Sequence, residues 1–281
     1  MSVASFQQAL CDLIASPRLC RALRAGDEGV LANYELSARE RTRLCDVVRQ
    51  RGMSTNCSLY RANRVTPLYM ILTYTLRSLG DQLRSLLDEF WDAKIYQDGQ
   101  FSGEVEQFAA FLRKRIAEGI VSSPFTAELL EYELALNALK CAPRKQLLRE
   151  VEALSAPGLD TPCRIHPLAR LVWFHHDPAA LLDAAARDGI ASTTIPRQET
   201  LLVLSLAAGS LSVIQLPDDF RRVLDDDGHF LESLTPRLAP ALADAGLLVD
   251  RRALGHDHVP EKAPALAGYA GEGAGLRGST T

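Results

Sequence analysis

No run in this 281-residue chain approaches the roughly 18–20 consecutive apolar residues that a membrane span needs. The first residues, MSVASFQQALCDLIASPRL, carry no basic stretch ahead of the apolar one, so no secretory signal is expected and the cytoplasm is the default compartment. The six cysteines (Cys11, Cys20, Cys45, Cys57, Cys141, Cys163) include no C-x-x-C pair, which excludes zinc knuckles and thioredoxin-type motifs. In a reducing compartment they are expected to be small core residues. A Gly-rich phosphate loop is also missing, because Gly99 to Gly103 lacks both a lysine and a flanking strand. There is no G-x-S-x-G elbow. These absences leave no candidate catalytic residue, no metal site and no cofactor expected in this chain.

What is present is ordinary globular composition, 47% hydrophobic and 23% charged, in a chain long enough for two cores. The net charge of −4 is unevenly placed. Residues 1–80 hold 11 Lys/Arg against 6 Asp/Glu, and the remainder holds 20 against 29. The N-terminal third is basic and the C-terminal end acidic.

Helical periodicity dominates from Phe6 to Glu150. Phe6, Leu10, Leu13 and Ile14 share a face before Ser16-Pro17 interrupts. Ser37-Ala38-Arg39-Glu40 is a capping box opening a helix to about Gln50, with a stop at Gly52. Leu59 to Leu79 predicts a long apolar helix with Pro67 near its first turns, stopped by Gly80. Further helices are expected from Asp81 through Phe90-Trp91, from a Ser102 cap, from Pro124 through Leu139, and from Pro143 to Leu154. The period then changes across the Pro- and Gly-bearing linker. Leu168 to Phe174 predicts a strand, and Asp177-Pro178 caps a short helix ending at Gly189. Thr200 to Ala207 and Ser210 to Leu216 predict a hairpin turning at Ala208-Gly209. Three short helices follow up to Asp250. The expected fold is mainly α: an N-terminal helical bundle (1–155), a linker (156–162), a winged-helix-like α/β domain (163–254) and a disordered tail (255–281).

Four clusters invite a chemical reading. His175-His176-Asp177 reads as a strand end followed by an aspartate N-cap, since adjacent strand residues point to opposite faces. His256-Asp257-His258 lies at the edge of the tail, without the supporting shell a metal site needs. Glu128, Glu131 and Glu133 read as a solvated or partner-facing helix surface rather than a buried acid/base pair. The basic stretch Arg39, Arg41, Arg43, Arg49, Arg51, Arg61 and Arg64, with Tyr60 between, fits a solvated face, a protein partner or nucleic acid.

A further pattern is more specific. Leu59-Tyr60-Arg61-Ala62-Asn63 with Leu68, Leu72 and Leu79-Gly80-Asp81 is followed by Phe108-Ala109-Ala110-Phe111-Leu112 and by Leu129-Leu130-Glu131-Tyr132-Glu133-Leu134-Ala135-Leu136-Asn137. This order resembles the helical domain of accessory proteins encoded beside multinuclear non-haem iron-dependent oxidases that modify ribosomally made peptides. The motif reads YRAN where the family commonly has YRNN, and the helix after Gly80 is acidic where the family varies. Cys11 to Gly52 is less typical of the broad family and closer in outline to partner proteins of the 3-thiaglutamate type.

The resemblance spans roughly Leu59 to Asp250 and implies a non-catalytic subunit. It implies that the iron sits in a TIM-barrel oxidase, the first partner, and that this chain binds the leader of a precursor peptide, the second. The C-terminal part is similar to the recognition element of such systems, in which the leader adds as a strand beside the third strand and packs on the third helix. The corresponding stretches are Ser210 to Leu216 and Pro236 to Ala245. They give Leu211, Val213 and Gln215, with Arg237, Leu238, Ala241 and Leu242, as expected peptide-binding residues. Tyr60, Arg61, Arg64, Tyr69 and Trp91 are the expected anchors for the oxidase.

A winged helix also reads DNA, which is the alternative. From Leu201 to Arg252 there are 8 acids against 5 arginines, and the helix Pro236 to Ala245 offers only Arg237 to a phosphate. DNA affinity depends on cationic contacts that release counterions. A small, apolar helix suits an extended peptide instead.

Overall fold

The capping box forms as expected. Ser37 Oγ accepts the Glu40 N–H at 3.3 Å, and Glu40 Oε2 accepts the Ser37 N–H at 2.8 Å. Helix α3 therefore starts at Ala38 and runs to Arg49. It follows α1 (Val3–Ala15), α2 (Pro17–Arg24) and a 3-10 turn at Glu28–Leu31. The computed structural model describes residues 3–92, 101–143, 145, 163–187, 190, 194–206, 210–216 and 248–250.

The break after α3 differs from the expected one. Gln50 alone is extended (φ −71°, ψ 145°), and helix α4 (Arg51–Ile71) begins immediately after it, with Gly52 inside. Burial explains the early start: Met53 and Cys57 on its first turns enter the core made by α1 to α3. Pro67 consequently lies near the end of α4. The chain kinks at Leu72 (φ −112°, ψ 39°) into α5 (Thr73–Ser78). Gly80, at φ +49°, sits in the left-handed region that glycine tolerates and starts a 3-10 turn, Gly80–Gln82. Then come α6 (Leu83–Asp92), α7 (Phe101–Ala117, starting one residue before the expected Ser102 cap) and α8 (Thr126–Cys141).

Two apolar clusters organise these helices. Ala9, Leu13, Leu23, Leu44 and Val48 centre the first. Leu68, Leu72, Leu76, Phe90, Phe108 and Leu112 centre the second. There Phe90 meets Phe108 edge-on at 5.2 Å and Phe111 at 5.5 Å between ring centroids.

Strand β1 (Cys163–Ile165) was not expected. It pairs antiparallel with β5 (Leu248–Asp250). Strand β2 (Ala169–His176) leads to α9 (Pro178–Ala186), and β3 (Arg197–Ser205) and β4 (Ser212–Leu216) complete a three-stranded antiparallel sheet in the order β2-β3-β4. The protein is thus mainly helical with a small antiparallel sheet. In the β3–β4 register, Leu201 faces Leu216 and Ser205 faces Ser212. That offset is the one implied by a turn at Ala208-Gly209, although 207–209 lie outside the described residues. Also outside them are 146–162 and 217–247, and so the expected linker and the three expected helices, together with the tail.

The chain divides into two compact units, Met1–Lys140 with Val172–Thr200, and Cys141–Leu171 with Leu201–Thr281. The sequence reading puts 163–254 in one domain; here 172–200 belongs with the helices. Polar contacts account for this. Glu128 on α8 accepts the N–H groups of His175 and His176, and Arg77 of α5 donates to the carbonyls of Ala185 and Ala186 at 3.0 and 2.9 Å. None of the described helices is long and apolar enough to cross a membrane.

Candidate functional site

Strand β4 is the outer strand of the order β2-β3-β4 among the described residues. An outer strand presents unpaired N–H and C=O groups along its free side. Its side chains alternate as a strand dictates: Leu216 is buried, Ser212 and Ile214 are half-buried, and Val213 and Gln215 are exposed. Leu211 and Val213 are 46% and 52% exposed. The three strand residues expected at a peptide site thus share an outward face, one polar and two apolar. No residue from Ser210 to Leu216 is charged. The four expected helix residues, Arg237, Leu238, Ala241 and Leu242, lie outside the described residues.

In the helical unit, a groove of about 620 Å³ runs between α4, the Gly80–Gln82 turn and α6. Ala62, Val65, Leu83 and Leu87 give it apolar walls, and Arg61, Tyr69 and Trp91 also line it. Three of the five expected partner anchors therefore meet in one place. Tyr69 is 49% exposed.

The sequence reading names Trp91 among the anchors for a partner, which asks for an exposed ring, and in this the structure differs. Trp91 is only 7% exposed, because its ring belongs to the core with Phe90 and Leu87. Arg64 is also largely buried. Its Nε donates to Glu104 Oε1 at 2.8 Å, and its guanidinium lies over the Tyr60, Phe90 and Trp91 rings. Arg61 is half-buried, its Nε is covered, and neither that atom nor Trp91 Nε1 has a hydrogen-bond partner among the described residues.

The glutamates of α8 also depart from expectation. Glu128 and Glu133 are buried, not solvated. Glu133 accepts from the Tyr74 and Thr75 N–H groups at 2.8 and 2.9 Å, so it caps α5 from a distant helix. Burial raises its carboxyl above the usual range, while those two hydrogen bonds oppose the shift. Glu128 Oε1 also lies 2.7 Å from His176 Nδ1, and the His176 ring sits edge-on to Phe125. Glu131 instead pairs bidentately with Arg113 at 2.7 and 2.9 Å. The sequence signal for these roles is thin: an acid at the turn where a helix otherwise buries leucine.

Asp177 does what its place before Pro178 predicts, accepting from Ala179 and Ala180 N–H and starting α9. Cys20, Cys45 and Cys57 are core residues, but Cys11 and Cys141 are exposed, contrary to the general expectation. Burial, then the neighbouring Cys20, pushes the Cys57 thiol up to about 11. Among the described residues no three His, Cys, Asp or Glu side chains converge as a metal requires. No protein-family model matches the chain, and no curated protein does.

Proposed function

We propose that this protein is a non-catalytic partner subunit that captures the leader of a ribosomally made precursor peptide and presents it to an iron-dependent TIM-barrel oxidase. The iron belongs to the oxidase. The C-terminal unit is a winged-helix-like recognition element, and the leader adds to the free side of β4. The observation that carries the reading is the outward face of that strand, where Leu211 and Val213 stand exposed beside Gln215 without a charge among them. Strand addition takes affinity from main-chain hydrogen bonds and selectivity from alternate side chains. An uncharged, partly apolar strand face suits a peptide and offers nothing to a phosphate. The helical unit supplies the contact with the oxidase through Tyr60, Arg61 and Tyr69, with the buried Arg64 and Trp91 supporting them from the core.

The test is titration of the full-length protein with the leader of a short precursor encoded beside a barrel oxidase, read by fluorescence anisotropy. Val213→Pro removes a ladder donor and bends the strand, and it abolishes binding. Val213→Asp keeps the backbone and weakens binding by placing a charge against apolar leader residues. Circular dichroism checks that both remain folded. Unchanged affinity in both folded variants refutes the site. Binding to duplex DNA that falls steeply with salt would favour a transcriptional regulator instead.

A further inference from the structure

One side of β4 has no strand partner among the described residues, and peptide geometry fixes which groups lie along it. Leu206 N–H donates to Leu168 O at 2.9 Å, toward β2. In a trans peptide the carbonyl opposes the following N–H, so Ser205 C=O points the other way, at β4. There it accepts from Ser212 Oγ at 3.3 Å. Ser205–Ser212, Val203–Ile214 and Leu201–Leu216 are therefore the pairs that exchange backbone hydrogen bonds. Val213 and Gln215 turn their N–H and C=O groups to the free side, and Leu211 continues the alternation one residue before the strand. The same three residues carry the exposed side chains. Proteins guard such an edge with lysine, proline, a bulge or an inward charge. Here no charged residue stands between Glu199 and Asp218, Ser210 to Leu216 holds no proline, and the register with β3 runs without a bulge.

We infer that a second copy of this chain pairs with this edge, β4 against β4, antiparallel about a two-fold axis at Val213. An antiparallel edge is its own complement. Val213 stands opposite its counterpart, Leu211 opposite Gln215 and Gln215 opposite Leu211, three pairs with two hydrogen bonds each. Moving the axis by one residue in either direction leaves only two such pairs between Leu211 and Gln215, so the register is set. Charge favours a copy at this place. The chain carries a net charge of −4, and copies repel wherever faces rich in one sign meet. Across this edge no charge opposes another, and each N–H meets a C=O. The pairing covers in each copy the edge that the leader takes. On the reading above, which this consequence rests on, leader and second copy exclude one another.

The experiment is sedimentation velocity of the full-length protein, with no peptide added, from about 1 to about 200 μM. The parent passes from monomer to dimer as concentration rises. The shift survives a change from about 50 to about 500 mM salt, because no charges meet in the interface. Hydrogen exchange, read by mass spectrometry on the fragment holding Ser210 to Leu216, slows in step as the Val213 and Gln215 N–H groups become donors. Val213→Lys alters an exposed side chain, sets two like charges opposite one another across the axis, and raises the dissociation constant about tenfold or more. Val213→Thr, β-branched and uncharged, keeps the dimer and shows that the position tolerates change. A protein that stays monomeric throughout overturns the proposal, as does a dimer that salt dissolves or that Val213→Lys leaves intact. Leader titration is a separate result. A monomer that binds leader overturns self-pairing and leaves the leader reading standing, and a dimer without leader affinity does the reverse.

Discussion

Replacing Glu133 by glutamine tests whether a carboxylate on α8 holds the start of α5. Its two oxygens each take one N–H, from Tyr74 and from Thr75, and Thr75 is fully buried. Glutamine has the same shape but only one acceptor oxygen, so its NH2 must face one of the two N–H groups. Water cannot replace the lost acceptor at a buried site. One orphaned buried N–H costs about 1–3 kcal/mol, and alanine, which orphans both, costs more. Urea unfolding followed by circular dichroism reads the change, with an unaltered slope confirming that the same surface is exposed. The pH dependence has a definite sign. Burial raises the folded carboxyl above its unfolded value, so the folded protein takes up the proton first. The Glu133 contribution is therefore fully present below the unfolded pKa and is lost as pH rises through the folded one. In Glu133→Gln this component is absent. Near neutral pH glutamine also removes the buried charge, so its loss is smaller than that of alanine, which orphans both N–H groups; an alanine variant within about 0.5 kcal/mol of the parent would refute the capping role.

Two further outcomes follow from burial. Arg64→Met strands the Glu104 carboxylate, whose side chain is 17% exposed, and lowers stability by about 3 kcal/mol. Part of that loss returns in the double variant with Glu104→Gln, and a loss below about 1 kcal/mol in urea unfolding would mean the pair behaves as a surface ion pair. For the thiols, iodoacetamide at about pH 8 followed by peptide mapping labels Cys11 and Cys141 well before Cys20, Cys45 and Cys57. Cys57 reacting as fast as Cys11 would contradict its burial and its raised thiol.

The features legible in the sequence are those whose physics is local. The capping box needs only Ser37 and Glu40, the α9 start only Asp177 and Pro178, and the hairpin register only a two-residue turn between two β-rich runs. The roles of Glu128 and Glu133 are not legible in the sequence, because their partners lie 47 and 58 or more residues away. An acid at a helix position carries no mark of the distant N–H groups it satisfies. The early start of α4 escaped for a related reason. Gly52 is a strong local stop signal, yet the burial of Met53 and Cys57 against α1 to α3 outweighs the roughly 1 kcal/mol that a helical glycine costs.

The candidate sites divide along the same line. Strand alternation fixes which residues of β4 share a face, so the sequence alone groups Leu211, Val213 and Gln215, and their exposure follows from Leu216 and Ile214 turning inward. The groove demanded more. Arg61 and Tyr69 are eight residues apart on α4, close to two helical turns, so one face holds both. Trp91 reaches them only because the chain reverses at Gly80, and its burial depends on packing against α7 residues far along the sequence. Residue type picked out the same three side chains, but type cannot say whether their donors are satisfied. That depends on what each atom meets, and at Arg61 Nε and Trp91 Nε1 the fold supplies no acceptor among the described residues. Arg64, three residues on, has its acid in Glu104, whereas Arg61 makes no ion pair among the described residues, a difference between neighbouring arginines that no sequence pattern marks.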